Sequence, residues 1–358
     1  MVEKINKNIK LYMKIKNFYG NYSSGAAFDK MEEDFFSKNN IFYTTKIIKR
    51  NLKKMSISEN DLKDKTIMNV GSGRESLGLL KFKPKKIFHY DISRQNIKRF
   101  NNYIARNNLE TLITSNELDL SKNNLPRNKF DFIYLHGIIQ HTDHVNRSLK
   151  NLILSMKLNG KMWFYFYRPG SLNIFLGSLQ RHLLKNKKIE NFKKFLDKRF
   201  KKNFVDGIMD DCYVPNRQLF YPNTYNKILK KNGLINFGNS FLKNYDHKVD
   251  FLNYHESVVF FLKKNNLLPI SVNDLKRKED VNVLDEKLYT SEKYIKVLQI
   301  LNFIKKNKQK KINNIFNIVV GIDKMKSKVT NIFSKRKKLT KKEFGIIINS
   351  INKLCMKI

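Results

Sequence analysis

Short apolar runs alternate with amphipathic stretches from Lys65 onward. Runs of apolar and β-branched residues bounded by turn residues read as strands, and three-to-four-residue apolar spacing reads as helix. Strands are expected at Thr66 to Val70, Lys86 to Tyr90, a weaker Thr111 to Leu118, Phe130 to Leu135 and Lys161 to Tyr167. The last is apolar and aromatic almost throughout, as suits a strand buried on both faces. Helices are expected from near Glu75, from the cap Ser93 to about Asn107, and from Val145 to Met156. Leu158-Asn159-Gly160 then reads as a helix stop. Strand-helix alternation of this kind predicts an α/β fold with a parallel sheet and crossover helices. Residues 169–220 interrupt it with a basic, amphipathic helical insert ending in Asp210-Asp211-Cys212-Tyr213-Val214-Pro215. The pattern resumes with a helix from Pro222 to Asn232 closed by Gly233. Leu234 to Phe241 and Ser257 to Leu262 then read as an antiparallel closing pair.

Both ends differ from this middle. Residues 1–60 read as a mixed helical lead-in containing a tyrosine-rich turn from Phe18 to Gly25. Residues 264–358 carry lysine runs and helical spacing (Val297, Leu301, Ile304; Ile312, Ile315, Phe316, Val319), with a loop near 265–285. Three units are therefore expected: 1–60, 61–263 and a basic helical extension, 264–358.

Composition narrows the class. With 358 residues and 41% apolar content the chain can bury a substantial core. Its two cysteines, Cys212 and Cys355, are far apart, which argues against a disulfide framework and fits a reducing cytoplasm. Neither belongs to a Cys/His cluster, so no metal site is expected. No apolar run reaches the length of a membrane span, and no signal peptide is evident. The net charge of +40 has two readings. Abundant Lys, Asn, Ile, Phe and Tyr with little Gly and Pro is the usage of AT-rich coding sequence. A basic face for an anionic partner, RNA or a membrane surface, stays open.

Candidate chemistry concentrates in residues 65–91. The first strand runs into Gly71-Ser72-Gly73, and the second ends on Asp91, about twenty residues later. Glycines let a backbone approach a ligand closely, and an acid at a strand end accepts hydrogen bonds from ribose hydroxyls. The motif reads as a nucleoside site. A nicotinamide dehydrogenase would place a further glycine where this chain has Ser76.

With Glu117-Leu118-Asp119, the Phe130-Asp131-Phe132-Ile133 strand, Gly137 to Thr142 and Leu158-Asn159-Gly160 in order, residues 18–262 resemble the class I S-adenosylmethionine-dependent methyltransferases, especially those acting on small molecules. The resemblance implies a Rossmann-like, doubly wound, mainly parallel seven-stranded sheet with a helical C-terminal appendage. It implies S-adenosylmethionine as cofactor. Asn69, Gly71, Ser72 and Gly73 would then lie by its methionine part, Asp91 by the ribose, Asp119 (with Glu117 as the alternative) by the adenine and His136 along the cleft. Two positions depart from the family: Asn69 stands where an acid is usual, and Glu75 where a glycine is frequent. Asn69 can hydrogen-bond but cannot offer charge to the cofactor's ammonium group.

Transfer to a hydroxyl or amine often needs a base, and His141 follows strand four at the mouth of the expected cleft. Arg168, Tyr213 and Arg217 are candidates for holding the acceptor. Tyr19 and Tyr22 are candidates for a lid. No Asn/Asp-Pro-Pro-Tyr motif follows strand four, which argues against methylation of a base amino group. The expectation is a cytoplasmic enzyme moving a methyl group to an oxygen or nitrogen of a sugar, quinone precursor or lipid-linked intermediate. An RNA-modifying enzyme gripping its substrate through 264–358, a non-catalytic binding relative, and peripheral membrane attachment remain alternatives.

Overall fold

The structure, a computed structural model, describes residues 13–19, 36–122, 125–237, 249–253, 257–265, 282–289, 291, 294–306, 312–336 and 338–356. The tyrosine turn with Tyr22, the residues around Phe241, and most of the 265–285 loop lie outside them.

Seven strands form one sheet in the order β3-β2-β1-β4-β5-β7-β6. They are β1 Thr66–Val70, β2 Lys86–Asp91, β3 Ile113–Glu117, β4 Phe130–His136, β5 Met156–Tyr167, β6 Leu234–Asn236 and β7 Ser257–Lys264. β1 pairs in parallel with β2 and β4, β2 with β3, and β4 with β5, while β7 runs antiparallel to β5 and β6. The order reverses between β1 and β4, the place where open α/β sheets leave a crevice for ligands. This is the expected Rossmann-like α/β architecture, and a helical C-terminal region follows it.

Alternation along the strands builds two cores. Met68, Val70, Ile133, Leu135, Met162 and Phe164 face one side, against α4 (Val145–Ser155) and α8 (Pro222–Lys231). Ile67, Ile87, Phe132, Tyr134 and Trp163 face the other. There they meet α1 (Lys38–Lys54), α2 (Gly73–Leu79) and α3 (Arg94–Arg106). Each fully buried aliphatic or aromatic side chain contributes about 1.5–3 kcal/mol, so the double-faced core dominates the domain's stability. α3 starts as expected, with Ser93 Oγ accepting from Asn96 N at 3.3 Å.

One expected boundary is corrected. α4 ends at Ser155 and β5 begins at Met156, so Leu158-Asn159-Gly160 is not a helix stop. The pairing partner of Phe130 is Met156 but that of Phe132 is Lys161, so residues 157–160 bulge out of the strand. Asn159 adopts the left-handed conformation (φ 64°). A Cβ at Gly160 would sit 2.9 Å from Lys157 O and 3.0 Å from Phe130 O. The glycine thus serves close backbone approach within a bulge.

The insert and the C-terminal helices share hydrophobic cores across residue 264. The insert supplies α5 (Leu172–Leu184), α6 (Ile189–Asp197) and α7 (Lys202–Tyr213). The C-terminal part supplies α9 (Ile295–Lys306), α10 (Ile312–Lys335) and α11 (Lys341–Met356). Leu172, Leu176 and Leu179 of α5 cluster with Val297, Ile318, Ile322 and Ile347. Phe192, Phe195 and Ile208 cluster with Phe316, Val319 and Val320. Among the described residues no helix is long and apolar enough to cross a membrane.

Candidate active site

The carboxyl ends of β1 to β4 open onto a cavity of about 210 Å³. The turn after β1 contributes Gly71, Ser72, Gly73 and Arg74; the end of β2 and start of α3 contribute Asp91, Ile92 and Asn96. Leu118 to Leu120 line it after β3, and Ile138, His141 and Thr142 after β4. Ile15 and Tyr19 from the helical segment 13–19, and Asp210 from α7, also line it.

The glycines are required by geometry. Gly71 has φ 104°, and a Cβ there would lie 2.8 Å from Ile138 Cδ1. A Cβ at Gly73 would lie 2.9 Å from the Phe100 ring. Asn69 is fully buried behind the turn and does not line the cavity. Its Nδ2 donates to Ser72 O and to Ser76 Oγ, both at 2.9 Å, and Ser76 Oγ meets His89 Nδ1 at 3.0 Å. A carboxylate could not donate to the Ser72 carbonyl, so the amide at position 69 braces the turn in a way an acid could not. Glu75 is also absent from the cavity lining, and burial pushes its pKa up to about 8.

Asp91 Oδ1 accepts from Ser93 N at 2.7 Å and Oδ2 from Asn96 Nδ2 at 3.4 Å. Burial raises its pKa to about 7 against those two hydrogen bonds, with Glu117 adding repulsion. Asp119 is 5% exposed; its Oδ1 accepts from Ser121 N at 2.8 Å and Ser121 Oγ at 2.7 Å. Its Oδ2 is buried and accepts no hydrogen bond, lying 3.8 Å from Lys122 Nζ. A buried carboxylate oxygen in that state is an acceptor awaiting a donor.

His141 Nδ1 lies 2.8 Å from Asn216 O. A carbonyl only accepts, so Nδ1 carries the proton and Nε2 keeps its lone pair. Burial lowers the imidazole pKa to about 4, and Arg217 and Arg181 push the same way. The segment bearing Asn216 is tied to the loop after β4. Asn216 Nδ2 and Gln218 Nε2 both donate to Thr142 O, at 2.6 and 3.0 Å, and Gln218 N donates to Gln140 O at 2.8 Å. The rings of Tyr19 and Tyr167 stand edge-on to His141, with centroids 6.5 and 6.1 Å away.

Residues 68–164 match the family model described as a methyltransferase domain. The match lies within the seven-stranded sheet and marks a methyltransferase domain. Its cofactor is S-adenosylmethionine, and the residues present fit that group. The glycine turn leaves room for it, Asp91 can accept from a ribose, and Asp119 Oδ2 can accept from an adenine amino group. No curated protein matches the chain. Several solved structures overlap it in part. The YcgJ protein from Bacillus subtilis is 11% identical over 40% of this chain and 59% of that one, with a TM-score of 0.33. A putative sarcosine dimethylglycine methyltransferase from Galdieria sulphuraria is 14% identical over 55% and 63%, with a TM-score of 0.38. A putative S-adenosylmethionine-dependent methyltransferase from Methanococcus maripaludis is 19% identical over 52% and 80%, with a TM-score of 0.33. The chain thus spans about three fifths of the length of the first two.

The methyltransferase cavity gathers Gly71, Ser72, Gly73, Asp91, Asp119 and His141 of the residues expected from sequence. The others lie elsewhere. His136 stacks on Tyr165 at 4.1 Å and its Nδ1 accepts from Trp163 Nε1 at 3.3 Å, so it belongs to an aromatic ladder on the sheet. Arg168 is 1% exposed, with Nε donating to Pro169 O at 3.4 Å, outside the cavity lining. Tyr213 packs against Phe192 and donates to Lys187 O at 3.5 Å, in the core that the insert shares with α10. Arg217 lines a second cavity. Arg74 and Asn96 escaped the sequence reading. Their positions, one residue past the glycine turn and five past Asp91, were the available signal.

Proposed function

We propose that the chain transfers the methyl group of S-adenosylmethionine to an oxygen or nitrogen of a small-molecule acceptor. The observation that carries this reading is His141. It is a half-buried, neutral imidazole that lines the cofactor cavity, with its tautomer fixed by Asn216 O.

The cofactor supplies an electrophilic methyl on a sulfonium. The chain's part is to place that methyl and the acceptor in line and to receive a proton. Asp91 would accept the ribose hydroxyls, Asp119 Oδ2 would accept the adenine amino group, and Arg74 would offer a guanidinium beside the glycine turn. His141 Nε2 accepts a hydrogen bond from the acceptor's O–H or N–H and so orients its lone pair. A pKa near 4 makes this a weak base for an intact hydroxyl. It suffices here because the proton becomes strongly acidic as the new C–O or C–N bond forms, so transfer accompanies bond formation. Tyr19, edge-on to His141 from the N-terminal side, would help to shield the bound cofactor from water.

The test incubates the full chain with S-adenosylmethionine labelled in its methyl group and an extract of source cells, fractionated into small molecules and RNA. Label in a small-molecule fraction, lost in Asp91→Ala, is expected. Label confined to RNA would overturn the acceptor class.

A further inference from the structure

Beyond Tyr167 the helical layer holds a second cavity of about 500 Å³, within the range of small-molecule sites. α5 and α7 form one wall and α10 the other. On α10 the lining residues are Asp323, Lys326, Ser327, Thr330, Asn331 and Ser334. Their three-and-four spacing is a single polar stripe on a helix whose other faces are packed in two apolar cores. The inner end is buried: Asn173 is 3% exposed and Lys326 8%. The outer end, at Ser327, Thr330, Asn331 and Ser334, is exposed.

The inner end is an arranged polar network. Lys326 Nζ bonds Asp211 and lies 3.9 Å from Asp323. Arg217 Nη2 donates to Ser178 Oγ at 2.6 Å, and Asn173 Nδ2 to Thr330 Oγ1 at 2.7 Å. Both cationic heads come over Gly177, where a Cβ would sit 3.3 Å from Arg217 Nη1 and 3.7 Å from Lys326 Nζ. This cavity adjoins the methyl-transfer site. Tyr167 lines it and faces the His141 ring, and consecutive residues of α7 divide between the two sites, Asp210 in the first and Asp211 in the second.

We infer that this cavity, shared by the insert and the C-terminal helix α10, is the acceptor pocket, and that it takes a neutral polyhydroxylated acceptor of the sugar class. The inference rests on the methyl-transfer reading and adds the substrate class. The charges decide against an anionic acceptor. Arg217 and Lys326 are matched within the cavity by Asp211 and Asp323, so no positive excess remains for a phosphate, although the whole chain carries +40. The hydroxyls and amides decide against a mainly apolar one. Ser327, Thr330 and Asn331 present hydroxyl and amide groups at the exposed end, which suits vicinal hydroxyls, and burying them under an apolar ring would take them out of water without replacing its hydrogen bonds. Tyr167 supplies an aromatic wall for the apolar face of a pyranose. The exposed outer end leaves room for the rest of a larger glycoside.

The test is saturation-transfer NMR on the full chain with S-adenosylhomocysteine, whose own binding is measured first by calorimetry. The probes are methyl glucopyranoside, methyl galactopyranoside and N-acetylglucosamine, with 4-hydroxybenzoate and inorganic phosphate as competing classes. Signal from at least one hexopyranoside is expected. It should fall several-fold in Ser327→Leu and Asn331→Leu, exposed positions whose variants retain the fold and S-adenosylhomocysteine binding. Hexopyranosides giving no signal, signal only from 4-hydroxybenzoate or phosphate, or hexopyranoside signal unchanged in both variants would each overturn the proposal while leaving methyl transfer standing. Failure of S-adenosylhomocysteine itself to bind would overturn both.

Discussion

Cofactor affinity should depend on pH through Asp91. Burial raises this carboxyl to about 7, above the ordinary 3.8. In the empty protein a raised carboxyl favours folding most below the unfolded pKa and loses that contribution as pH climbs through about 7. Binding has the opposite sign. Ribose hydroxyls donate to the carboxylate, so the cofactor selects the ionised form and releases a proton. With a pKa of about 7, the ionised fraction falls from about 0.9 at pH 8 to about 0.1 at pH 6, a roughly tenfold loss of affinity. Asp91→Asn keeps one oxygen for Ser93 N but replaces two charge-assisted bonds by weaker neutral ones, at about 1 kcal/mol each. The variant should therefore bind about 30-fold more weakly at pH 8, and its affinity should barely change with pH. Calorimetry with S-adenosylhomocysteine at three pH values, on samples shown folded by their melting curves, measures both effects. Wild-type affinity that stays flat from pH 6 to 8, or an Asp91→Asn variant that binds like wild type, would refute the ribose assignment.

Further outcomes follow from the same geometry. Gly71→Ala must adopt φ 104° and press its Cβ against Ile138, so it should lose about 1–2 kcal/mol of stability and much of its cofactor affinity. An unchanged melting temperature with unchanged binding would contradict the close approach. The His141 imidazole should remain the neutral, Nδ1-protonated tautomer until pH falls through about 4, as read by nitrogen-15 shifts of the ring. An imidazolium at pH 6 would remove it as proton acceptor. Lys326→Met strips the buried cation from Asp211 and Asp323. It should cost about 2–3 kcal/mol in denaturant unfolding, toward the low end for a buried pair because the Asp211 side chain is 44% exposed. A loss below half of that would show the pairs to be solvated.

The sheet was readable from the chain because its signal is local. Each strand is a short apolar run with a turn at its end, and Gly71 and Asp91 are strand-end residues whose chemistry follows from type and spacing. The residues that escaped depend on contacts distant in sequence. Asn69 reads as a weakened ligand until the Ser72 carbonyl is seen to need a donor. His136 ends β4 and His141 follows it, yet the alternation of the strand turns His136 onto Tyr165 and Trp163, while the loop past Gly137 brings His141 round to the cavity. Asn159-Gly160 carries the composition of a helix stop, and only the pairing of Phe130 with Met156 identifies a bulge. Residues 264–358 look separable because their lysines come in runs. Their apolar positions, such as Ile318 and Phe316, are complementary to the insert, and that is a tertiary property.

The central claim is that the crevice between β1, β2 and β4 holds S-adenosylmethionine. Its most direct test is calorimetric titration of the full chain with S-adenosylhomocysteine at pH 8. One-to-one binding that Asp91→Ala weakens strongly is the expected result; no heat of binding at millimolar ligand from a folded sample would contradict it.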